Sequence, residues 1–162
     1  MRILVTGSRS WTDRYTIMTA IERPTIDAFS RGDTVLVIHG DAGGADRIAR
    51  NVVRGWHADG WPIDEHAMPA KWAECAPDCP PHRRTRAVGV ATYCPTAGHR
   101  RNAEMVNLGP DLCLAFVRDN SRGATNCIGL AQAAGIPTVR IDWDDRDGPK
   151  TLPGVTDQPN QT

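Results

Sequence analysis

The stretch Val35-Leu36-Val37-Ile38-His39-Gly40-Asp41-Ala42-Gly43-Gly44-Ala45-Asp46 holds a four-residue apolar run, a loop with three glycines in five residues, and the start of a helix. The run is continuous rather than alternating, so it reads as a strand buried on both faces. Past the loop, Ala45, Ile48, Ala49, Val52, Val53 and Trp56 stand at helical spacing and form one apolar stripe that ends before Gly60. A doubly buried strand followed at once by an amphipathic helix is the building unit of a parallel sheet with helical crossovers.

Outward from this unit the pattern repeats. Ile3, Leu4 and Val5 form a first buried run closed by Gly7. A helix is expected over 15–29, with Asp13 as its N-cap and Pro24 kinking or dividing it. A weaker strand covers 61–66, a basic helix 97–108, a strand 112–117, a helix 124–134 and a strand 138–141. The alternation predicts an α/β fold: a Rossmann-like, doubly wound parallel sheet of about five strands with helices on both faces. Ligands of such sheets sit at the carboxyl ends of the strands, which singles out the loops 7–13, 39–46 and 118–125 and the helix from 97. The length of 162 residues suits one domain, expected over 1–142. Residues 67–96 are a proline-rich insert within it, and 143–162, rich in Asp, Pro, Gly, Asn and Gln, are expected to be a flexible tail.

Nineteen Lys and Arg balance nineteen Asp and Glu, so no global field draws the chain to nucleic acid and an anion site must be local. Hydrophobic residues at 40% and charged residues at 23% are a globular mixture. No apolar run is long enough to span a bilayer and the amino terminus enters a strand directly, so the expected location is cytoplasmic.

Three loops carry candidate ligand contacts. In the first, Gly7 allows a sharp turn, Ser8 offers a hydroxyl and Arg9 a guanidinium for phosphate; the pattern is neither G-x-G-x-x-G nor a P-loop, and an ordinary turn also explains Gly7 and Ser8. In the second, Gly40, Gly43 and Gly44 expose backbone N–H groups at a helix N-terminus, the usual cradle for an anion. Asp41 and Asp46 beside them suit a ribose hydroxyl or a metal, with capping the default role for Asp46. Arg101 and Asn102 sit near the start of the basic helix, where a bound anion would offset the cations. In the last loop Arg122, Gly123 and Thr125 repeat the set of basic residue, glycine and hydroxyl, although glycine with a Thr cap explains two of the three.

Five cysteines, an odd number, argue against a disulfide framework. Cys75, Cys79, His82 and Cys94 lie in the insert and make a Cys3His set suited to one tetrahedral, structural zinc, with His99 competing for the fourth place. A metal would hold a loop that lacks a core of its own. Cys113 and Cys127 are expected to be core residues.

Thr6-Gly7-Ser8-Arg9, the segment 39–46, Ala97-Gly98-His99-Arg100-Arg101-Asn102 with Met105, the segment 111–116 and Ala133-Ala134-Gly135-Ile136-Pro137 together resemble the YspA-like branch of the SLOG superfamily. The resemblance covers about residues 1–142. It implies a fold similar to Rossmann domains, kinship with LOG phosphoribohydrolases and DprA, a source among actinobacteria or their phages, and a nucleotide-derived ligand. LOG enzymes carry a catalytic Glu in a Pro-Gly-Gly-x-Gly-Thr-x-x-Glu motif; the comparable stretch here runs from Arg122 to Ile128 without an acidic residue.

The expected function is therefore binding of a nucleotide-like small molecule as sensor or sink. The alternatives are a nucleoside monophosphate phosphoribohydrolase, whose carboxylate would come from Asp41, and a DprA-like nucleic-acid module. Zero net charge and 6% aromatic residues weigh against the last. A homo-oligomer and no membrane partner complete the expectation.

Overall fold

A computed structural model describes residues 1–77, 79, 94–144 and 148–151. The elements are β1 (Arg2–Gly7), α1 (Arg14–Ser30), β2 (Val35–His39), α2 (Ala45–Ala58), β3 (Ile63–Ala67), α3 (Ala97–Asn107), β4 (Leu112–Val117), α4 (Arg122–Ala133), β5 (Thr138–Asp144) and β6 (Gly148–Thr151). They form one six-stranded sheet in the order β3-β2-β1-β4-β5-β6, parallel except for the antiparallel β6 at the edge. The fold is thus a mostly parallel, doubly wound α/β sheet.

Alternation along β1 explains why helices cover both faces. Ile3 and Val5 pack into one cluster with Ile17 and Ile21 of α1 and Ala49 and Val53 of α2. Leu4, between them, points to the other face and packs with Met105 and Val106 of α3 and Cys127 and Ala131 of α4. A strand that must be apolar on both sides can only be a continuous apolar run.

Three expectations are corrected. Pro24 does not end α1 or divide it: the helix continues to Ser30. Ile17, Ile21, Thr25 and Ala28 are all buried along one face, so packing on both sides of the proline holds one continuous helix against the roughly 3 kcal/mol that an interior proline costs. Secondly, the described residues form six strands, and those beyond 142 are not simply a tail: β5 runs to Asp144 and β6 pairs with it. Trp143 anchors this extension, its ring edge-to-face with the buried Trp11 at 5.5 Å. Thirdly, α4 starts at Arg122, because Ser121 and not Thr125 supplies the N-cap and accepts from the Ala124 amide. Asp13 caps α1 as expected, accepting from the amides of Tyr15 and Thr16.

Candidate functional site

The chain leaves the middle of the sheet in opposite directions from β1 and β4, and the loops after these two neighbouring strands diverge at their carboxyl ends. This is the switch point at which open α/β sheets hold ligands. A cavity of about 430 Å³ lies there. Its walls come from Gly7, Ser8, Arg9 and Ser10 after β1, Arg118, Asp119 and Ser121 after β4, Ala42 and Asp46 around the start of α2, Gly98, His99, Arg101 and Asn102 of α3, and Gly123 of α4.

The glycines expected to cradle an anion at α2 serve a different purpose. A Cβ on Gly44, whose φ is +71°, would come 2.2 Å from the Ser8 carbonyl oxygen and 2.5 Å from that of Arg9. The next amide, Ala45, donates to the Ser8 carbonyl at 3.2 Å. The start of α2 is therefore packed against the β1 loop. Gly40 leaves room for the Arg101 guanidinium, which donates to the Gly40 and Met68 carbonyls. Gly7 admits β1 against the Ala45 side chain and the Phe116 carbonyl. Of the three glycines that precede α2, Gly43 alone has open space where a side chain would stand.

Asp46 does not cap its helix. Gly44 occupies the cap position, no side chain fills that role, and the Asp46 carboxylate instead accepts from the Ala42 amide at 3.3 Å. Burial holds its carboxyl above the ordinary value of 3.8, against the opposing pull of Arg101, the Ala42 amide, His39 and the Gly40 amide. A capping aspartate would have the reverse shift. Asp41, the expected catalytic carboxylate, is absent from the walls of this cavity; it has a left-handed backbone, φ +50°, and pairs with Arg50 at 2.5 Å. Its amide donates to Nδ1 of the fully buried His39, whose Nε2 lies 2.6 Å from Glu65.

Several other expected contacts are committed to holding the site together. The Ser8 hydroxyl donates to the Arg118 carbonyl and accepts from the Arg118 amide, both at 2.7 Å, and so ties the β1 and β4 loops. The Asn102 amide group donates to the Gly123 carbonyl and to Asn126 Oδ1, each at 3.0 Å, and its oxygen accepts from Arg101 Nε. Thr125 is exposed and its hydroxyl donates to the Ser121 carbonyl. Neither Thr125 nor the exposed Arg122 lines the cavity.

Beside the carboxylates of Asp46 and Asp119, the cavity wall carries a set of donors. The first turns of α3 and α4 present the amides of Gly98, His99 and Gly123, which have no hydrogen-bond partner among the described residues. Arg9 is exposed and makes no ion pair among the described residues. Two helix N-termini and a guanidinium around one cavity favour a negatively charged group. Ser10 and Trp72 are wall residues that sequence reading did not single out, since no spacing pattern connects 10 and 72, and His99, expected only as a metal ligand, lines the wall as well.

In the insert, Cys75, Cys79 and Cys94 bring their sulfurs within 4.8 Å of one another, a group that could hold a metal ion. His99 is not part of this group; it lines the cavity instead. His82 lies outside the described residues. The Cys94 thiol is lowered to about 5, through the Thr96 hydroxyl and Arg100, which donates to it at 3.3 Å. Cys113 and Cys127 are buried as expected, and burial pushes their thiols up to about 12 and about 11.

No model of a known protein family matches the chain. The gene 61 protein of Mycobacterium phage D29 is 34% identical over 141 residues, 86% of this chain and 95% of that protein. The chain belongs to the family of that phage protein. The solved structure of a universal stress protein from Archaeoglobus fulgidus aligns with a TM-score of 0.44 at 14% identity, over 86% of this chain and 92% of that one. Among the described residues of this gene 61 family member, no helix is long and apolar enough to cross a membrane.

Proposed function

We propose that this chain is a SLOG-type domain that binds a nucleotide or nucleotide-derived ligand at the switch point, phosphate first. The observation that carries this reading is the convergence of the α3 and α4 N-termini with Arg9 on one cavity at the carboxyl ends of β1 and β4. The phosphate sits against the amides of Gly98, His99 and Gly123, and Arg9 closes over it. Arg101 and Asn102 act behind this surface, fixing the second loop and α4.

The three thiols hold one zinc as a structural site, with the fourth ligand supplied from outside the trio. Thiolates are the ligands zinc prefers, and the ion gives a core-poor insert its folding energy. Protein purified without chelator should contain about one zinc per chain.

Isothermal titration with a panel of nucleoside monophosphates tests the ligand reading. For any nucleotide that binds, Arg9→Ala should weaken affinity by roughly 1.5–3 kcal/mol, the scale of a hydrogen bond to a charged group. Equal affinity in wild type and variant would remove Arg9 from the site. Asp46 favours a second reading, hydrolysis of the N-glycosidic bond, because it is a buried carboxyl facing the cavity with its proton affinity raised. Free base and ribose phosphate in the incubation mixture distinguish that reaction from binding alone.

A further inference from the structure

A tryptophan in a polar cleft wall is a flat apolar surface, and the group that covers such a surface best is another flat ring. Trp72 borders the switch-point cavity and also an adjoining one of about 300 Å³ that reaches Gly43 and Pro69. Two contacts meet its indole and one holds its backbone. The Arg9 guanidinium lies 5.7 Å from the ring centroid. The ring edge rests on the first turn of α3 at Gly98, where an added Cβ would stand only 3.1 Å from it. The Trp72 carbonyl accepts from the Cys94 amide at 2.7 Å, which ties one of the three clustered cysteines directly to this residue's backbone, and Cys75 follows three residues later in the chain.

We infer that Trp72 is the ring-recognising wall of the cavity, held in position by the Cys75, Cys79 and Cys94 site, so that the ligand carries a flat heteroaromatic ring as well as a phosphate. The inference rests on the anion reading above and adds the second half of the ligand. A ring that stacks on Trp72 takes the place of the Arg9 guanidinium and leaves Arg9 for the phosphate. Metal at the thiols then acts on recognition without touching ligand, since it fixes the segment that carries the indole. Gly98 has a matching purpose: a Cβ there would stand 3.1 Å from the indole edge and crowd it.

Adenosine monophosphate and ribose 5-phosphate share the phosphate and sugar and differ by the base. Their affinities are to be measured by calorimetry on zinc-loaded wild type, on zinc-loaded Trp72→Leu and Trp72→Phe, and on chelator-stripped wild type, with circular dichroism confirming that each is folded. The wild type should prefer adenosine monophosphate by about tenfold or more, the scale of one base stacked on an aromatic side chain. Trp72→Leu and the stripped protein should bring that ratio near one, and Trp72→Phe should restore most of it. A ratio unaltered in Trp72→Leu overturns the ring assignment; a ratio unaltered by stripping, or a protein that takes up no zinc, overturns the link to the thiols. Ribose 5-phosphate binding with no gain from the base sinks this inference alone, whereas failure of both probes on the wild type sinks the anion reading with it. Should stripping unfold the chain, the zinc-loaded Leu and Phe variants still decide the ring assignment.

Discussion

Gly43 and Gly44 are neighbours with opposite requirements. Gly44 has a left-handed backbone and touches the backbone of the β1 loop, whereas Gly43 has free space around it. Gly44→Ala should therefore lose at least about 2 kcal/mol, from the positive φ and from displacement of Ser8 and Arg9, and Gly43→Ala should stay within about 0.5 kcal/mol of wild type. Urea denaturation of the two variants checks this. The sequence offered three glycines in a loop and no sign of which served packing, because the atoms that crowd Gly44 and Gly40 come from residues 8, 9 and 101. Asp46 shows the same limit: its position suggests a cap, and its burial is visible only once Arg101 and the loop are in place. Its raised proton affinity means the folded chain holds this proton more tightly than the unfolded one. That stabilisation is complete below the ordinary value of 3.8 and is lost as pH rises through the raised folded value. Relative to Asp46→Asn, the wild type should lose stability as pH rises above the ordinary value of 3.8, measured by denaturation at a series of pH values. A difference between the two proteins that stays flat across this range would contradict the burial of an ionisable Asp46.

Elements whose identity rests on long or continuous patterns were legible, and their ends were not. The stripe from Ala45 to Trp56 gave α2 nearly to the residue, and the apolar runs gave β1, β2 and β4. α4 begins two residues early because Ser121, not the more obvious threonine, caps it. β6 escaped notice because Gly148-Pro149-Lys150-Thr151 has no apolar run; it exists through pairing with β5. In α1, tertiary packing outweighs the proline, and the helix retains one unpaired polar group: Thr25 is fully buried and its hydroxyl has no partner among the described residues. Thr25→Val, which keeps the shape and removes the hydroxyl, should stabilise the protein by about 1 kcal/mol. A lower melting temperature in this variant would mean that the hydroxyl is bonded after all.

For the molecule as a whole, the strand order decides where the cavity opens. Divergence of the chain from β1 and β4 opens a cleft at the strand ends, and α3 and α4 then point their N-termini into it. The general position of the cavity follows from the alternation of strands and helices, and so it was readable from sequence. The surface proposed to face an anion was not: loop two looked like the cradle, yet its helix start is packed on the β1 loop, and the amides proposed for the anion belong to α3 and α4. The insert adds a cluster of three thiols beside this cleft, joined to it through Trp72. The proposed seat of the phosphate against α3 and α4 at the switch point is tested by amide NMR spectra of the ¹⁵N-labelled protein titrated with adenosine monophosphate. The expected result is saturable shifts at the amides of Gly98, His99, Gly123 and Arg9; shifts confined to Gly43 and its neighbours, or none at saturating nucleotide, would contradict it.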